Sequence, residues 1–168
     1  DRLAAAQAML EGQATLASMK MMTPGQDLLN DDAIWETFRE QLLAARGSMQ
    51  VFAETPRVLQ EGLIFPYLEG AEFVRWYERD TAFTGPPYGS AVPVSTEQVL
   101  HPERYARRDV PVEVPIDTVG AGPGETDVLG EMGVVVLAAD LAGAEVVSTT
   151  VPIGWAGDRY RLYATAEG

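Results

Sequence analysis

The chain carries few groups able to do chemistry, and the most telling is a carboxylate. Glu11 precedes Gly12 inside an otherwise alanine-rich stretch, Met9-Leu10-Glu11-Gly12-Gln13-Ala14-Thr15-Leu16. A glycine inside a helix costs roughly 0.8–1.0 kcal/mol against alanine, so its presence there asks for a reason. Small residues at Gly12 and Ala14 would let a second backbone or a metal ion approach closely. The plainer alternative is an exposed helical glutamate, and the segment by itself does not separate the two. Other chemistry is narrowed by what is missing. The chain has one histidine, His101, and no cysteine, so thiolate metal sites, disulfides and cysteine nucleophiles are all excluded. A catalytic zinc site takes about three protein ligands, usually with histidine among them, and no HExxH occurs. A Ser-His-Asp triad would have to use His101, yet no Gly-x-Ser-x-Gly elbow surrounds a serine. Gly120-Ala121-Gly122-Pro123-Gly124 is glycine-rich, but Pro123 and the lack of a preceding apolar strand argue against a phosphate loop. Alone, these residues make no self-sufficient catalytic constellation.

Glu11-Gly12-Gln13-Ala14 resembles the Glu-Gly-x-Ala segment of gluzincin metallopeptidases. Four further stretches, in order, are similar to bacterial and archaeal metallopeptidase-like proteins. They are Gly62 to Trp76 with Phe65-Pro66-Tyr67 and Glu69-Gly70, Ser95 to Tyr105, Leu129-Gly130-Glu131, and Gly154-Trp155-Ala156-Gly157-Asp158-Arg159-Tyr160. The resemblance implies the helical C-terminal part of a zincin-like fold whose HExxH helix lies upstream. It implies Glu11 as the third zinc ligand, beside two upstream histidines, with an upstream glutamate activating the water. Zn2+ would then belong to the full-length protein and not to this chain alone, the partners being the upstream HExxH segment and a peptide or protein substrate. Near such a site His101 could donate a hydrogen bond to the oxyanion formed when water attacks a peptide carbonyl. The frequency with which histidine simply bonds backbone groups favours a structural role at the Leu100-His101-Pro102 turn. Tyr67, Tyr88 and Tyr105 are further candidate donors, each more simply a packing residue. Trp155 with Asp158, Arg159 and Tyr160 reads as a structural knot, Asp158 pairing with Arg159 or capping a backbone turn. The rival reading is a non-catalytic binding domain on a degenerate peptidase scaffold.

The elements that would position these groups are mainly helical, a mainly α (α+β) chain forming one domain over residues 1–168. Asp1 to Met22 has apolar residues at Leu3, Ala6, Met9, Leu10, Leu16 and Met19 and ends at Thr23-Pro24-Gly25. Asn30, Asp31 or Asp32 can cap a second helix carrying Ile34, Trp35, Phe38, Leu42 and Ala45, ending near Arg46-Gly47. Ser48 to Gln60 is ambiguous. A third helix starts near Leu63 to Phe65, because Pro66 suits a first turn, and buries Leu63, Ile64, Tyr67, Leu68, Ala71, Val74 and Tyr77. Glu72–Arg75 and Arg75–Glu78 stand at pairing distance on its polar side. Gly85 to Pro93 is a loop, and Ser95 caps a short turn through Leu100, after which Pro102 opens another. Asp109 to Ile116, interrupted by prolines, is extended or an edge strand. Gly120 to Gly124 is a flexible connector. Thr126 or Asp127 caps a last helix that buries Val128, Leu129, Met132, Val135, Val136 and Ala139. Residues 154–165 alternate with period two, a strand whose sheet is partly missing from the chain.

Twelve basic residues against 25 acidic ones leave a net charge of −13, which repels phosphate backbones and argues against nucleic-acid binding. No run approaches the ~20 apolar residues of a bilayer span. The chain opens on Asp1-Arg2-Leu3 in a helical pattern, with neither an initiator methionine nor a signal-peptide pattern, which reads as a boundary inside a longer protein. The lack of cysteine is compatible with an extracytoplasmic or secreted home.

Overall fold

The computed structural model describes residues 1–80, 83, 85–117, 124–144 and 154–163, the Arg46 side chain excepted. The Gly120–Gly124 connector, apart from Gly124, and the last two residues of the 154–165 strand pattern lie outside the described residues. The elements run α1 (Arg2–Met22), α2 (Asp32–Ser48), α3 (Gln50–Ala53), α4 (Arg57–Arg79), α5 (Thr96–Leu100), α6 (Pro102–Arg107), β1 (Gly124–Asp127), α7 (Gly130–Leu141) and β2 (Tyr160–Tyr163). A 3-10 turn over Gly89–Ala91 precedes α5. The fold is mainly α-helical, and no helix among the described residues is long and apolar enough to cross a membrane.

Helices α1 and α4 pack directly on each other. Gly12 lies against Gly70 and Lys20 pairs with Glu78, both partners standing 58 residues apart, so the two helices run parallel. Parallel neighbours need a crossover, which α2 and α3 provide. The contact is backbone on backbone: a Cβ on Gly12 would sit 2.2 Å from the Gly70 carbonyl oxygen, and one on Gly70 would sit 2.2 Å from that of Ala8. Ala5, Ala8 and Ala71 are fully buried around this crossing. Met9, Leu16, Phe65, Phe73, Val74, Trp35, Val99, Met132 and Val136 enclose it in one core that joins α1, α2, α4, α5 and α7. Burying each large side chain contributes roughly 1.5–3 kcal/mol, well above the ~0–1 kcal/mol of an exposed pair such as Lys20–Glu78.

Capping follows the sequence closely in two places. The Asp31 side chain accepts from the Ala33 amide at 3.0 Å and starts α2; Ser95 Oγ accepts from the Gln98 amide at 3.3 Å and starts α5. Elsewhere the structure corrects the pattern. Helix α4 begins at Arg57, with Pro66 inside it and buried. The proline leaves the Gly62 carbonyl without a helical donor, but Gly62 is exposed, so water can satisfy it. Leu63 and Tyr67 are exposed rather than buried. Arg75 does not pair along its own helix; it reaches Asp32 and the Leu29 carbonyl, while Glu72 takes Arg39 at 2.7 Å. This reach also sets the Arg75 guanidinium over the Trp35 ring, 5.2 Å from its centroid.

The C-terminal half differs more. Gly124–Asp127 is a strand, not a cap, and pairs antiparallel with β2, Gly124 opposite Tyr163 and Asp127 opposite Tyr160. The strand pattern near residues 154–165 thus finds one partner, β1, within the described residues. Helix α7 starts later, at Gly130, and buries Met132, Val135 and Val136 but not Leu129. Residues 109–116 are extended without a ladder, tied by the Val112 amide to the Ala156 carbonyl at 2.7 Å.

The crossing sets a measurable asymmetry between glycines. We expect Gly12→Ala and Gly70→Ala each to destabilise the fold by about 1–3 kcal/mol or more, because the added methyl meets backbone. Gly62→Ala, with nothing within 4 Å of its new Cβ, should stabilise by about 0.5–1 kcal/mol. Urea unfolding midpoints of the three variants check this, and equal shifts would disprove the close crossing.

Candidate functional site

The buried polar residues gather where the N-terminal ends of α1, α5 and α7 meet. Ser95, Thr96, Glu97, Gln98 and Glu131 are all under 5% exposed. Most are fully satisfied. Asp1 Oδ1 accepts from the Thr96 amide at 2.8 Å and from its hydroxyl at 2.7 Å, linking α1 to α5. The Met132 amide donates to Thr96 Oγ1 at 3.3 Å, linking α7 to the same point. Gln98 accepts from the Val94 amide and donates to the Asp109 carbonyl. Asp158 receives the Leu129 and Gly130 amides at 2.8 and 2.9 Å and Trp155 Nε1 at 3.0 Å. It thus caps α7, and pairing with Arg159 is not its role. Gly130 must be glycine here: its φ is +78°, and a Cβ would stand 2.1 Å from Asp1 Oδ1.

Two carboxylates remain, on separate helices. Glu131 Oε2 lies 3.0 Å from His101 Nε2 and accepts no well-aligned hydrogen bond. Glu97 Oε1 is 3.8 Å from Arg104 Nη1, which also reaches Asp109 at 3.4 Å. These groups, with Gly154 and Trp155, line a cleft of ≈ 60 Å³. Burial raises the Glu97 carboxyl above its ordinary value; Arg104 and His101 oppose the shift, while Glu131 and Asp109 add to it. The arrangement places two buried carboxylates beside an imidazole. With Nε2 turned to Glu131, the other ring nitrogen of His101 is left for a further partner.

The expected site residues do not all converge. His101 makes the α5–α6 turn, as its neighbours suggest, but its side chain faces Glu131 on α7 instead of backbone. Glu11 is partly exposed on α1 and makes no ion pair with a described residue. Among the described residues no three His, Cys, Asp or Glu side chains are grouped to hold a metal ion, so Glu11 could supply one ligand and no more. Tyr105 donates to the Ala91 carbonyl at 2.7 Å and Tyr88 to Gln13, while Tyr67 is exposed. Glu97 and Glu131 escaped the sequence reading as buried groups. The signal was an acidic residue at the head of the apolar run Met132 to Val136. No protein-family profile, curated protein or solved structure matches the chain.

A raised carboxyl pKa has a definite sign. The folded state holds the Glu97 proton over a window just above 4.5, so this contribution is complete below that pH and lost as pH rises through the folded value. We expect Glu97→Gln to gain stability relative to wild type as pH rises above about 4.5. Parallel pH profiles of the two urea midpoints would show that the proton is not held on Glu97.

Proposed function

We propose that the chain is the C-terminal portion of a gluzincin-type, zinc-dependent metallopeptidase that hydrolyses peptide bonds. The observation that carries this reading is the placement of the Glu-Gly pair. Gly12 is locked against the Gly70 backbone, so the neighbouring Glu11 leaves α1 in a fixed direction, partly exposed and uncommitted to any described cation. A carboxylate on a packed helix backbone, itself left unpaired, is open to completing a site built largely by other residues. Zinc, once bound, would supply an activated water at neutral pH. The described residues do not complete its coordination; two histidines of an HExxH segment outside this chain would have to. The isolated chain is accordingly inactive in this reading and does not retain zinc. His101 faces Glu131 in a cleft that Glu11 does not line, so the reading rests on Glu11.

The second reading, a non-catalytic binding domain on the same scaffold, draws on the outer face of α1. Leu3, Leu10 and Met21 are 72%, 56% and 83% exposed there, a face suited to a protein partner. Metal content separates the two. In the protein carrying its upstream segment, Glu11→Ala should weaken zinc retention by at least ~100-fold, beyond the ~10–100-fold of an outer-shell change, and abolish peptide hydrolysis. Zinc measured by mass spectrometry after dialysis, with helicity by circular dichroism as the folding control, gives the answer. Unchanged zinc removes Glu11 from the site; no zinc in the wild type favours the binding domain.

A further inference from the structure

A second cavity, of ≈ 290 Å³, opens between α4, the turn at Gly89–Ala91 and α6. Its wall is part of a ring cluster. Tyr77 and Phe83 stack with centroids 4.8 Å apart, and Tyr105 meets them edge-on or tilted at 6.0 and 5.5 Å. Val94 and Val110 complete an apolar lining. Apart from Ser90 and Arg108, the polar side chains of these walls are already used: Tyr77 donates to the Gly85 carbonyl, Tyr105 to that of Ala91, and both ends of Gln98 are engaged. Burial, followed by the neighbouring Tyr77, pushes the Tyr105 hydroxyl up to about 12, so it stays neutral. A neutral polar ligand would find rings here but few open partners.

Charge is different. In a chain of net charge −13, this lining contains no aspartate or glutamate and one arginine, Arg108. Arg104 and Arg107 both hold Asp109 at 3.4 Å, whereas Arg108 makes no ion pair with a described residue. Arg108 also adopts φ 57° and ψ 35° at the end of α6, the left-handed conformation that favours glycine. It is the one non-glycine residue with positive φ among the described residues. Strain of this kind persists where a side chain is needed in a particular place. Arg108 lines the aromatic cavity, exposed and without a described ion-pair partner.

We propose that this cavity binds a small aromatic carboxylate, its ring against Tyr77, Phe83 and Tyr105 and its carboxylate on Arg108. The size fits: an apolar cavity of about 150 Å³ already accepts benzene, and guanidinium–carboxylate recognition sets the orientation. The site does not depend on the peptidase reading, and it needs no metal.

Titration of the chain with phenylacetate, benzyl alcohol and acetate, followed by isothermal calorimetry and amide chemical shifts, tests the assignment. Phenylacetate should saturate below about 10 mM and bind at least about 10-fold more tightly than either comparator, which lacks the charge or the ring. Arg108→Gln should bring phenylacetate down to the level of benzyl alcohol. Ala106→Trp, at an exposed lining position, should block both aromatic probes. Arg108→Gly should lose phenylacetate while raising the unfolding midpoint, which distinguishes a strained binding residue from a structural one. No saturable phenylacetate binding, or equal binding in Arg108→Gln, overturns the proposal.

Discussion

The approach of two helix backbones at Gly12 and Gly70 is the constraint on which the rest of the molecule depends. Without side chains at those positions, α1 sinks until the carbonyl of Gly70 occupies the space of a Cβ on Gly12. That depth buries Ala5, Ala8 and Met9 in the shared core, and at the same end of α1 Asp1 stands within hydrogen-bonding distance of Thr96. A crossing wider by one methyl group would separate the three helix starts and leave the Thr96 hydroxyl and several amides without partners. Packing decides the geometry and the polar junction follows from it, since burial of the core side chains far outweighs any single cap.

The junction in turn explains why carboxylates can be buried in a chain already rich in negative charge. Asp1 and Asp158 are held by backbone amides at the starts of α5 and α7, where partial positive charge gathers. Glu97 and Glu131 lack that arrangement. One has a distant arginine and the other an imidazole, and burial raises the Glu97 carboxyl above its ordinary value. Caps and less fully bonded carboxylates thus lie side by side: Asp1 and Asp158 fix the helix starts, while Glu97 and Glu131 face Arg104 and His101.

Local signals in the sequence carried the fold where the chain is punctuated by short-range chemistry. Asp31 and Ser95 start their helices through their own side chains, and Thr23 ends α1, its amide and hydroxyl both donating to the Met19 carbonyl. Pro66 misled because its cost is local whereas its compensation, the burial of α4 along its length, is not. Asp127 looked like a cap, yet the capping side chain comes from Asp158, across the chain. Arg75 likewise abandons near neighbours for Asp32. In the site, Glu11 and His101 stood out by residue type. Glu131 as the partner of His101 did not, since only tertiary structure brings residues 101 and 131 together.

One feature of α1 bears on the proposed function more than any distance does. Its core face holds Met9, Leu16 and Met19, while Leu3, Leu10, Ala14, Ala17 and Met21 form a second, exposed stripe without a charge. A single exposed leucine is ordinary on any protein surface. A continuous stripe opposite the core is not, in a chain whose remaining surface is heavily acidic. Glu11 lies at the margin between the two faces, next to Gly12 on one and Leu10 on the other. A segment packed on the stripe would therefore run alongside this carboxylate, which is where the proposed metallopeptidase needs its remaining ligands.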